Sequence, residues 1–165
     1  MLNMGQWNCI YIGSGSSRNV FDLGNGYVMK VAKNRAGIEQ NKNEYRISSM
    51  DFSDLFADVI SVSKSFDVLV MRKAYRIRYF SDILDYYNVR SEEELFSLSK
   101  FQNIQYKYNL LASDLKRVSS WGIIDGRPTI IDYGFTREVR EKYYSFFNNR
   151  AIFYWGWKVV CDSFI

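Results

Sequence analysis

Alternating apolar and polar positions recur through the first part of the chain, and this period of two residues predicts β-strands rather than helices. Five runs follow it: Trp7–Ile12, Val20–Leu23, Tyr27–Lys33, Asp58–Ser63 and Val68–Lys73. The second and third runs are separated by Gly24-Asn25-Gly26, and Asn-Gly suits the positive φ angles of a type I′ turn. The pattern therefore predicts an antiparallel sheet.

One helix interrupts this strand-rich part. Residues Ala36–Met50 follow a helical period, with Ile38, Tyr45 and Ile47 available for a buried side. Because the helix separates the third strand from the fourth, the predicted sheet has five strands with one helix inserted after the third.

The second half of the chain is mainly helical. Its predicted elements are, in order, helices at Ser81–Tyr87 and Glu92–Ala112, a hairpin from Trp121–Ile124 through the turn Asp125-Gly126 to Thr129–Asp132, and a last helix at Arg137–Asn148. Ser91 followed by Glu94 is a capping box that begins the second helix, and Thr136 can cap the last one. Strands and helices together predict an α+β fold.

Composition fits a single globular domain of 165 residues. Apolar residues make up 47% and charged residues 24% of the chain, and no run approaches the ~20 apolar residues of a membrane span. The net charge of +4 is mild and acidic residues are spread throughout, so nucleic acid is not an expected partner. The N-terminal residues lack the pattern of a secretion signal, and we expect a cytoplasmic protein.

Histidine is absent from the sequence, which excludes imidazole bases, histidine metal ligands and Ser-His or Cys-His nucleophile pairs. The two cysteines, Cys9 and Cys161, lie near opposite ends and have no metal-binding or redox spacing. Two reduced, buried thiols are the favoured interpretation, and a terminal disulfide is the alternative.

The first candidate for chemistry is the segment Gly13-Ser-Gly-Ser-Ser-Arg-Asn-Val20, followed by the strand Val28-Met-Lys-Val-Ala32. The two segments are either a phosphate-binding glycine loop with a lysine on a nearby strand, or an ordinary polar hairpin beside a strand. Because side chains alternate along a strand, Val28 and Lys30 share one face. Lys30 has apolar neighbours on both sides and needs an anionic partner, since burying a lone ammonium group is costly.

Two aspartate motifs follow: Asp114-Leu-Lys116 directly after the long helix, and Asp132-Tyr-Gly134 at the end of the hairpin. Together with the glycine loop, Lys30 and Glu44, they occur in the order of the protein-kinase-like fold. Over residues 10–136 the sequence resembles that family, and more narrowly the very small kinase-like proteins found in bacteria and their phages.

The resemblance implies an N-lobe over residues 1–74, a reduced and mainly helical C-lobe over residues 75–165, and ATP and Mg²⁺ as cofactors. Lys30 would reach the α- and β-phosphates and pair with Glu44, which is favoured over Glu39. The residues implied in nucleotide binding are Gly13, Ser14, Gly15, Ser16, Val20, Val28, Lys30, Met71, Arg72 and Ala74.

The roles implied for these residues differ along the chain. The glycine loop would approach the phosphates through backbone N–H groups. Val20 and Val28 would contact the base, and Met71 would lie at the back of the adenine pocket. The carbonyl of Arg72 and the N–H of Ala74 would face the adenine edge.

The resemblance also implies the residues of the transfer step. Asp114 would accept or orient the proton of an attacking hydroxyl, and Lys116 would neutralise charge on the transferring phosphate. Asp132 would be the main ligand of Mg²⁺. Ser119 or Ser120 stands where the family has an asparagine ligand, and a serine hydroxyl is a weaker oxygen donor than an amide.

Several departures from the family bear on function. Arg18 replaces the third glycine of the loop, which makes the loop less pliable, and only 31 residues follow Gly134. We therefore weigh a minimal phosphotransferase with an unknown acceptor against a pseudokinase that works by binding another protein, for example a phage-encoded inhibitor of a host enzyme. An RNA-binding protein outside this fold is a third hypothesis. The aromatic segment Phe153–Trp157 would be core or, if exposed, a partner surface.

Overall fold

A five-stranded antiparallel sheet forms the first half of the structure, a computed structural model that describes residues 9–145. The strands are β1 (Ile10–Ser14), β2 (Arg18–Asp22), β3 (Tyr27–Ala32), β4 (Val59–Val62) and β5 (Val68–Arg72). They lie in the order β1-β2-β3-β5-β4, so that β1 and β4 form the edges. All five correspond to predicted strands whose ends are shifted by a few residues.

Helix α1 (Arg35–Met50) is inserted between β3 and β4, as the sequence predicted. It begins at Asn34, whose side-chain oxygen accepts a hydrogen bond from the Gly37 amide at 3.1 Å. The prediction that Tyr45 lies on its buried side is wrong, since this residue is 42% exposed. The apolar period failed here because half of the buried residues of α1 are polar. That face consists of Ala36, Gly37, Gln40, Asn41, Glu44 and Ile47.

The second part of the described chain is mainly helical. It contains β6 (Tyr75–Arg76), α2 (Ser81–Tyr87), α3 (Glu92–Ser97), α4 (Ser99–Tyr108), α5 (Ala112–Leu115), β7 (Trp121–Ile124) and β8 (Arg127–Ile130). A last helix, α6, begins at residue 137 and continues to residue 145, where the described part ends. Strands β6, β7 and β8 pair in that order as a second sheet, of which the sequence predicted only the β7–β8 hairpin.

The single long helix predicted over Glu92–Ala112 is wrong. Leu98 has an extended backbone, with φ −61° and ψ 133°, which ends α3 and allows α4 to begin at the next residue. The chain changes direction at this break, and Leu95 before it and Phe101 after it are both completely buried. The break therefore allows both helices to bury an apolar residue. The apolar period of the sequence runs on through this position and does not reveal it.

Both predicted helix caps are confirmed. The Glu94 amide donates to the Ser91 hydroxyl at 3.2 Å at the start of α3. The Val139 amide donates to the Thr136 hydroxyl at 3.5 Å at the start of α6. Each cap satisfies a backbone donor that has no partner within its own helix.

Two hairpin turns contain residues with positive φ angles. Gly24 (φ 72°) and Gly26 (φ 85°) lie between β2 and β3, whereas Asn25 has no positive φ, so the predicted type I′ turn at Asn25-Gly26 is wrong. The connection has four residues rather than two, and its positive φ angles fall on the two glycines. Asp125 (φ 51°) and Gly126 (φ 75°) instead provide the two consecutive positive φ angles of a type I′ turn, between β7 and β8.

Backbone hydrogen bonds join the second part of the chain to the segment before β4. The Ala57 amide donates to the Ile130 carbonyl at 2.9 Å, and the Ile130 amide donates to the Leu55 carbonyl at 2.7 Å. The Tyr133 hydroxyl donates to the Ala57 carbonyl at 2.6 Å. One cluster of buried apolar side chains extends from β5 across this junction to β8, so both parts share a core.

Cys9 is exposed, so the prediction of a buried thiol is wrong for this residue, which directly precedes the edge strand β1. Cys161, the aromatic segment Phe153–Trp157, the start of the first predicted strand and the end of the last predicted helix lie outside the described residues. Between residues 9 and 145, no helix combines the length and the apolar character needed to cross a membrane.

Candidate functional site

A cleft of about 460 Å³ lies between the five-stranded sheet and the second part of the chain. Most residues that the resemblance implied in binding or catalysis line it. They are Gly15, Ser16, Val20, Val28, Lys30, Met71, Arg72, Ala74, Asp114, Ser119, Ser120 and Asp132. Gly13, Ser14, Glu44 and Lys116 do not line the cleft, and Glu44 lies directly behind its wall.

Lys30 and Glu44 form a buried ion pair at this wall. Val28 and Lys30 are buried on the same face of β3, as the strand period predicted. The Lys30 ammonium donates to the two Glu44 carboxylate oxygens, at 2.9 and 3.0 Å, and to the Ile131 carbonyl at 2.7 Å. Glu44, rather than Glu39, is therefore its partner. Desolvation lowers the pKa of Lys30, and the Glu44 carboxylate opposes that shift.

Arg18 belongs to the same ion-pair network, although its sequence position indicated only a stiffer loop. Arg18 is 5% exposed, and its guanidinium lies 2.9 and 3.0 Å from the Glu44 carboxylate oxygens. The guanidinium also donates to Asn41 Oδ1 at 3.1 Å and to Asp132 Oδ1 at 2.5 Å. Desolvation would lower the pKa of Arg18, but the carboxylates of Glu44 and Asp132 outweigh it and raise the pKa.

The strand period contained a signal for Arg18. Val20 lies opposite Lys30 in the pairing of β2 with β3, and Arg18 is two residues before Val20 on the same face of β2. The resemblance assigned position 18 to the glycine loop, but β2 already begins at this residue. An arginine at this point is therefore directed toward the lysine-bearing face.

Asp132 is more open to the cleft than the other charged residues of the network, with a side chain that is 53% exposed. Desolvation would raise the pKa of Asp132, but the Arg18 and Lys30 cations outweigh it and hold that pKa below its ordinary value. Its Oδ1 atom is already paired with the Arg18 guanidinium. Asp132 is consequently an ionised carboxylate whose charge is balanced within the protein.

The residues around Asp132 do not fit a resident Mg²⁺ ion. The Ser120 hydroxyl donates to the Asp114 carbonyl at 2.7 Å, and Ser119 is exposed. From residue 9 to residue 145, no group of three or more His, Cys, Asp or Glu side chains is placed to hold a metal ion. Mg²⁺ requires a near-octahedral set of oxygen ligands, whereas Asp132 offers one carboxylate that a guanidinium already neutralises.

Asp114 lines the cleft, and one oxygen of its carboxylate makes no hydrogen bond with a described residue. It lies in the first turn of α5, and its Oδ2 atom is buried without a hydrogen-bond partner among the described residues. Arg117 Nε lies 3.6 Å from its other oxygen, Oδ1. Desolvation raises the pKa of Asp114, and the Arg117 cation opposes this shift.

Lys116 does not point into the cleft, which contradicts its expected place beside a transferring phosphate. Its ammonium lies 3.4 Å from a carboxylate oxygen of Glu92 and 3.6 Å from one of Glu93, both in α3. Residues two positions apart in a helical turn lie on different sides, so Asp114 and Lys116 diverge. Arg117 is the cation that this segment presents to the cleft.

The glycine loop forms a tight turn, in which the Gly15 amide donates to the Arg18 carbonyl at 2.9 Å. The Lys33 ammonium donates to the Ser14 hydroxyl at 2.9 Å, and neither of these two residues lines the cleft. Gly13 lies at an irregularity in the pairing of β1 with β2. The predicted phosphate contacts of Gly13 and Ser14 therefore have no counterpart in the cleft lining.

The rim of the glycine loop meets helix α6. The Ser16 hydroxyl lies 3.2 Å from the Tyr144 hydroxyl, and this hydrogen bond is exposed. The Tyr144 ring packs edge-on against Phe135, with 5.1 Å between the ring centres. All three residues line the cleft, so α6 contributes to a site that the sequence placed entirely before residue 134.

Two glycines allow α1 to approach the site closely. A Cβ atom at Gly37 would lie 2.3 Å from the Ser17 carbonyl oxygen, and one at Gly134 would lie 2.4 Å from the Gln40 carbonyl oxygen. Gly134 ends the Asp132-Tyr-Gly134 motif, and its missing side chain lets that motif pack against α1. These contacts fix the glycine loop, α1 and Asp132 relative to one another.

The chain matches no protein-family model and no curated protein sequence. Solved structures similar to it include a ternary complex of APH(2″)-IIa with streptomycin and ATP (18% identity, TM-score 0.47) and the ADP-bound aminoglycoside phosphotransferase APH(2″)-Ib (16% identity, TM-score 0.43). Each comparison covers 77% of this chain and 65% of the other. The bifunctional kinase-methyltransferase WbdD is 23% identical over 72% of this chain and 29% of its own, with a TM-score of 0.41.

This chain therefore spans less than two thirds of the length of each of these proteins. Its own topology has five antiparallel strands with one inserted helix, followed by helices and a hairpin that leads to Asp132. The chain has the α+β, protein-kinase-like fold that its sequence predicted.

Proposed function

We propose that the chain binds ATP in the cleft and transfers its terminal phosphoryl group to an acceptor hydroxyl. Five basic side chains line the cleft and offer N–H donors to a polyanionic ligand, while each of them also contacts a carboxylate of the protein. Val20, Val28 and Met71 line the same cleft and offer apolar surface to a purine base. Its volume lies within the range of about 300–1,000 Å³ that is usual for small-molecule sites.

The observation that carries the transfer step is the Asp114 carboxylate, which lines the cleft and whose buried Oδ2 atom has no hydrogen-bond partner among the described residues. This carboxylate can accept a hydrogen bond from the acceptor hydroxyl and take up its proton. The acceptor oxygen then forms a bond to the γ-phosphorus, the bond from that phosphorus to the bridging oxygen breaks, and ADP leaves. Lys30, which Glu44 orients, would place its positive charge beside the α- and β-phosphates, and Arg117 would face the transferring group.

Transfer of label from γ-labelled ATP tests this proposal, with the purified protein alone and with a cytosolic extract as the source of acceptors. Asp114→Asn keeps the shape of the side chain but removes the base, so we expect its rate to fall on the order of 10²-fold. Asp85→Asn is the matched control, because Asp85 is exposed on α2 and does not line the cleft. Equal label transfer by wild type and Asp114→Asn would contradict the role of Asp114.

The Arg18–Asp132 contact favours a second candidate, a pseudokinase-type protein that binds ATP and another protein without phosphoryl transfer. The Arg18 guanidinium binds the Asp132 carboxylate, which the resemblance implies to be the main ligand of Mg²⁺ in an active kinase. In this case ATP should raise the melting temperature of the wild type by mass action. No label should then reach any acceptor in the extract, and a stable complex with one protein, such as a host enzyme, should form.

A further inference from the structure

Arg18, Lys30, Glu44 and Asp132 form a compact set of charges, which we call the four-charge cluster. Its two cations and two anions are joined by contacts of 2.5 to 3.0 Å. The cluster is therefore electrically neutral without any added ion. If a glycine stood at position 18, as in the related family, the remaining three residues would carry one net negative charge.

The Arg18 guanidinium is held in place from several sides. Its backbone belongs to β2 and pairs with Ala32 of β3, and its side chain donates to Asn41, Glu44 and Asp132. Because Arg18 is 5% exposed, it cannot move away without leaving buried acceptors unpartnered. The guanidinium is thus a permanent part of the wall behind the cleft.

This arrangement opposes a divalent ion at Asp132. Such an ion would add two positive charges beside Arg18, which lies 2.5 Å from Asp132 Oδ1, and close to Lys30. Like charges this close together repel each other, and more strongly beside a buried guanidinium than in bulk water. The ion would have to displace the guanidinium, and Glu44 would then lose one of its two cationic partners.

We infer that Arg18 is the built-in counter-cation of Asp132, and that the cleft therefore binds the phosphates of ATP without a divalent metal ion. The first part concerns the protein alone, whereas the second rests on the proposed function, in which ATP is the ligand. A carboxylate that is already neutralised gains little from Mg²⁺. Arg117 also lines the cleft and would face the phosphates.

Binding of Mn²⁺ alone, followed by electron paramagnetic resonance, tests the first part. Wild type should bind no Mn²⁺ at millimolar concentrations. Arg18→Met keeps much of the side-chain volume but removes the charge, so it should gain one site, and the double variant with Asp132→Asn should lose that site again. Arg46→Met is the matched control, because Arg46 is exposed on α1, and it should bind no Mn²⁺.

Two results would overturn this part. One is Mn²⁺ bound by wild type and lost in Asp132→Asn. The other is a folded Arg18→Met variant, as judged by circular dichroism, that binds no Mn²⁺. If Arg18→Met does not fold, Arg18→Gly takes its place, and the measurements on wild type and Asp132→Asn still decide the question.

Calorimetric titration with ATP, in EDTA and in MgCl₂, tests the second part. The two dissociation constants of wild type should agree within about twofold, whereas Arg18→Met should bind ATP about tenfold more tightly in MgCl₂, a difference of about 1.4 kcal/mol. Binding of ATP by wild type in MgCl₂ alone would overturn the inference. Binding in neither solution would contradict the proposed function, and the Mn²⁺ experiment would still decide the role of Arg18.

Discussion

Glu44 is a fully buried carboxylate that accepts hydrogen bonds from two cations, Lys30 and Arg18. Glu44→Gln keeps the shape of the side chain but leaves both cations buried with one anion fewer. Because an uncompensated buried charge is costly, we expect the free energy of unfolding to fall by about 3–5 kcal/mol. Urea denaturation of the two proteins measures this difference.

Glu39→Gln is the matched control for that experiment. Glu39 lies in the same helix, is half-buried and makes no ion pair with another described residue. Its substitution should change the free energy of unfolding by no more than about 0.5 kcal/mol. Equal losses in the two variants would show that the charge of α1, rather than the four-charge cluster, governs stability.

The sequence was sufficient for some individual site residues and not for others. Lys30 and Glu44 could be predicted because a buried strand lysine needs an anion, and the resemblance favoured Glu44 over Glu39 in the next helix. The role of Arg18 was not predicted, although the strand period places it on the face of β2 that carries Val20, because the resemblance assigned position 18 to the glycine loop. The direction in which the Lys116 side chain points depends on α5. This helix has only four residues, too few to show a periodic pattern in the sequence.

Helix α1 makes a close contact with the glycine loop at Gly37. An alanine in a helix is usually more stable than a glycine by about 0.5–1 kcal/mol, but the Cβ of Gly37→Ala would lie 2.3 Å from the Ser17 carbonyl oxygen. The backbone must shift to relieve this overlap, so we expect Gly37→Ala to be destabilised by about 1–3 kcal/mol. Thermal unfolding followed by circular dichroism checks whether the melting temperature of Gly37→Ala lies below that of wild type.

Gly13→Ala is the comparison for this prediction. A Cβ atom at Gly13 meets no atom within 4 Å, and Gly13 has no positive φ angle. We expect its melting temperature to equal or slightly exceed that of wild type, since alanine restricts the unfolded chain more than glycine does. A Gly37→Ala variant that is also more stable would show that the loop and α1 are not in close contact.

Elements with a clear period and a clear cap could be predicted, whereas elements defined by packing could not. The five strands and α2 have short, bounded patterns, and the start of α3 has a capping box. The division between α3 and α4 is different, because apolar positions continue through Leu98 and only its backbone angles change. Strand β6 has two residues, too few to show any period.

The two parts of the molecule meet through backbone hydrogen bonds rather than through a flexible joint. Ala57 and Ile130 are bonded across the junction, and the Lys30 ammonium donates to the Ile131 carbonyl at 2.7 Å. We therefore expect the described part to unfold in one cooperative transition. Hydrogen exchange measured by mass spectrometry at increasing urea should give peptides of β3 and β8 the same opening free energy. A separate, lower opening free energy for β3 would contradict this.

The overall architecture could be predicted because most of its elements have recognisable local patterns in the sequence, and these patterns give the order of the elements. Five strands, the helix after the third and the later hairpin all have local patterns, and their order identified the fold. The cleft depends on contacts between distant segments, such as Arg18 with Asp132 and Ser16 with Tyr144. Local patterns do not record which distant segments meet, so these contacts required the structure.

The hydrogen bond between Ser16 and Tyr144 bears on how fast a ligand exchanges. It joins the glycine loop to α6 at the cleft lining, and we expect a molecule that leaves between these two elements to break it. An exposed hydrogen bond contributes about 0.5–1.5 kcal/mol, so Tyr144→Phe should speed both association and dissociation of ATP by roughly two- to tenfold. Stopped-flow measurement with a fluorescent ATP analogue checks this, with Tyr143→Phe as the control. Because both rates change together, the variant would keep its affinity but shorten the residence time of the nucleotide, and with it the interval in which a partner meets the occupied protein.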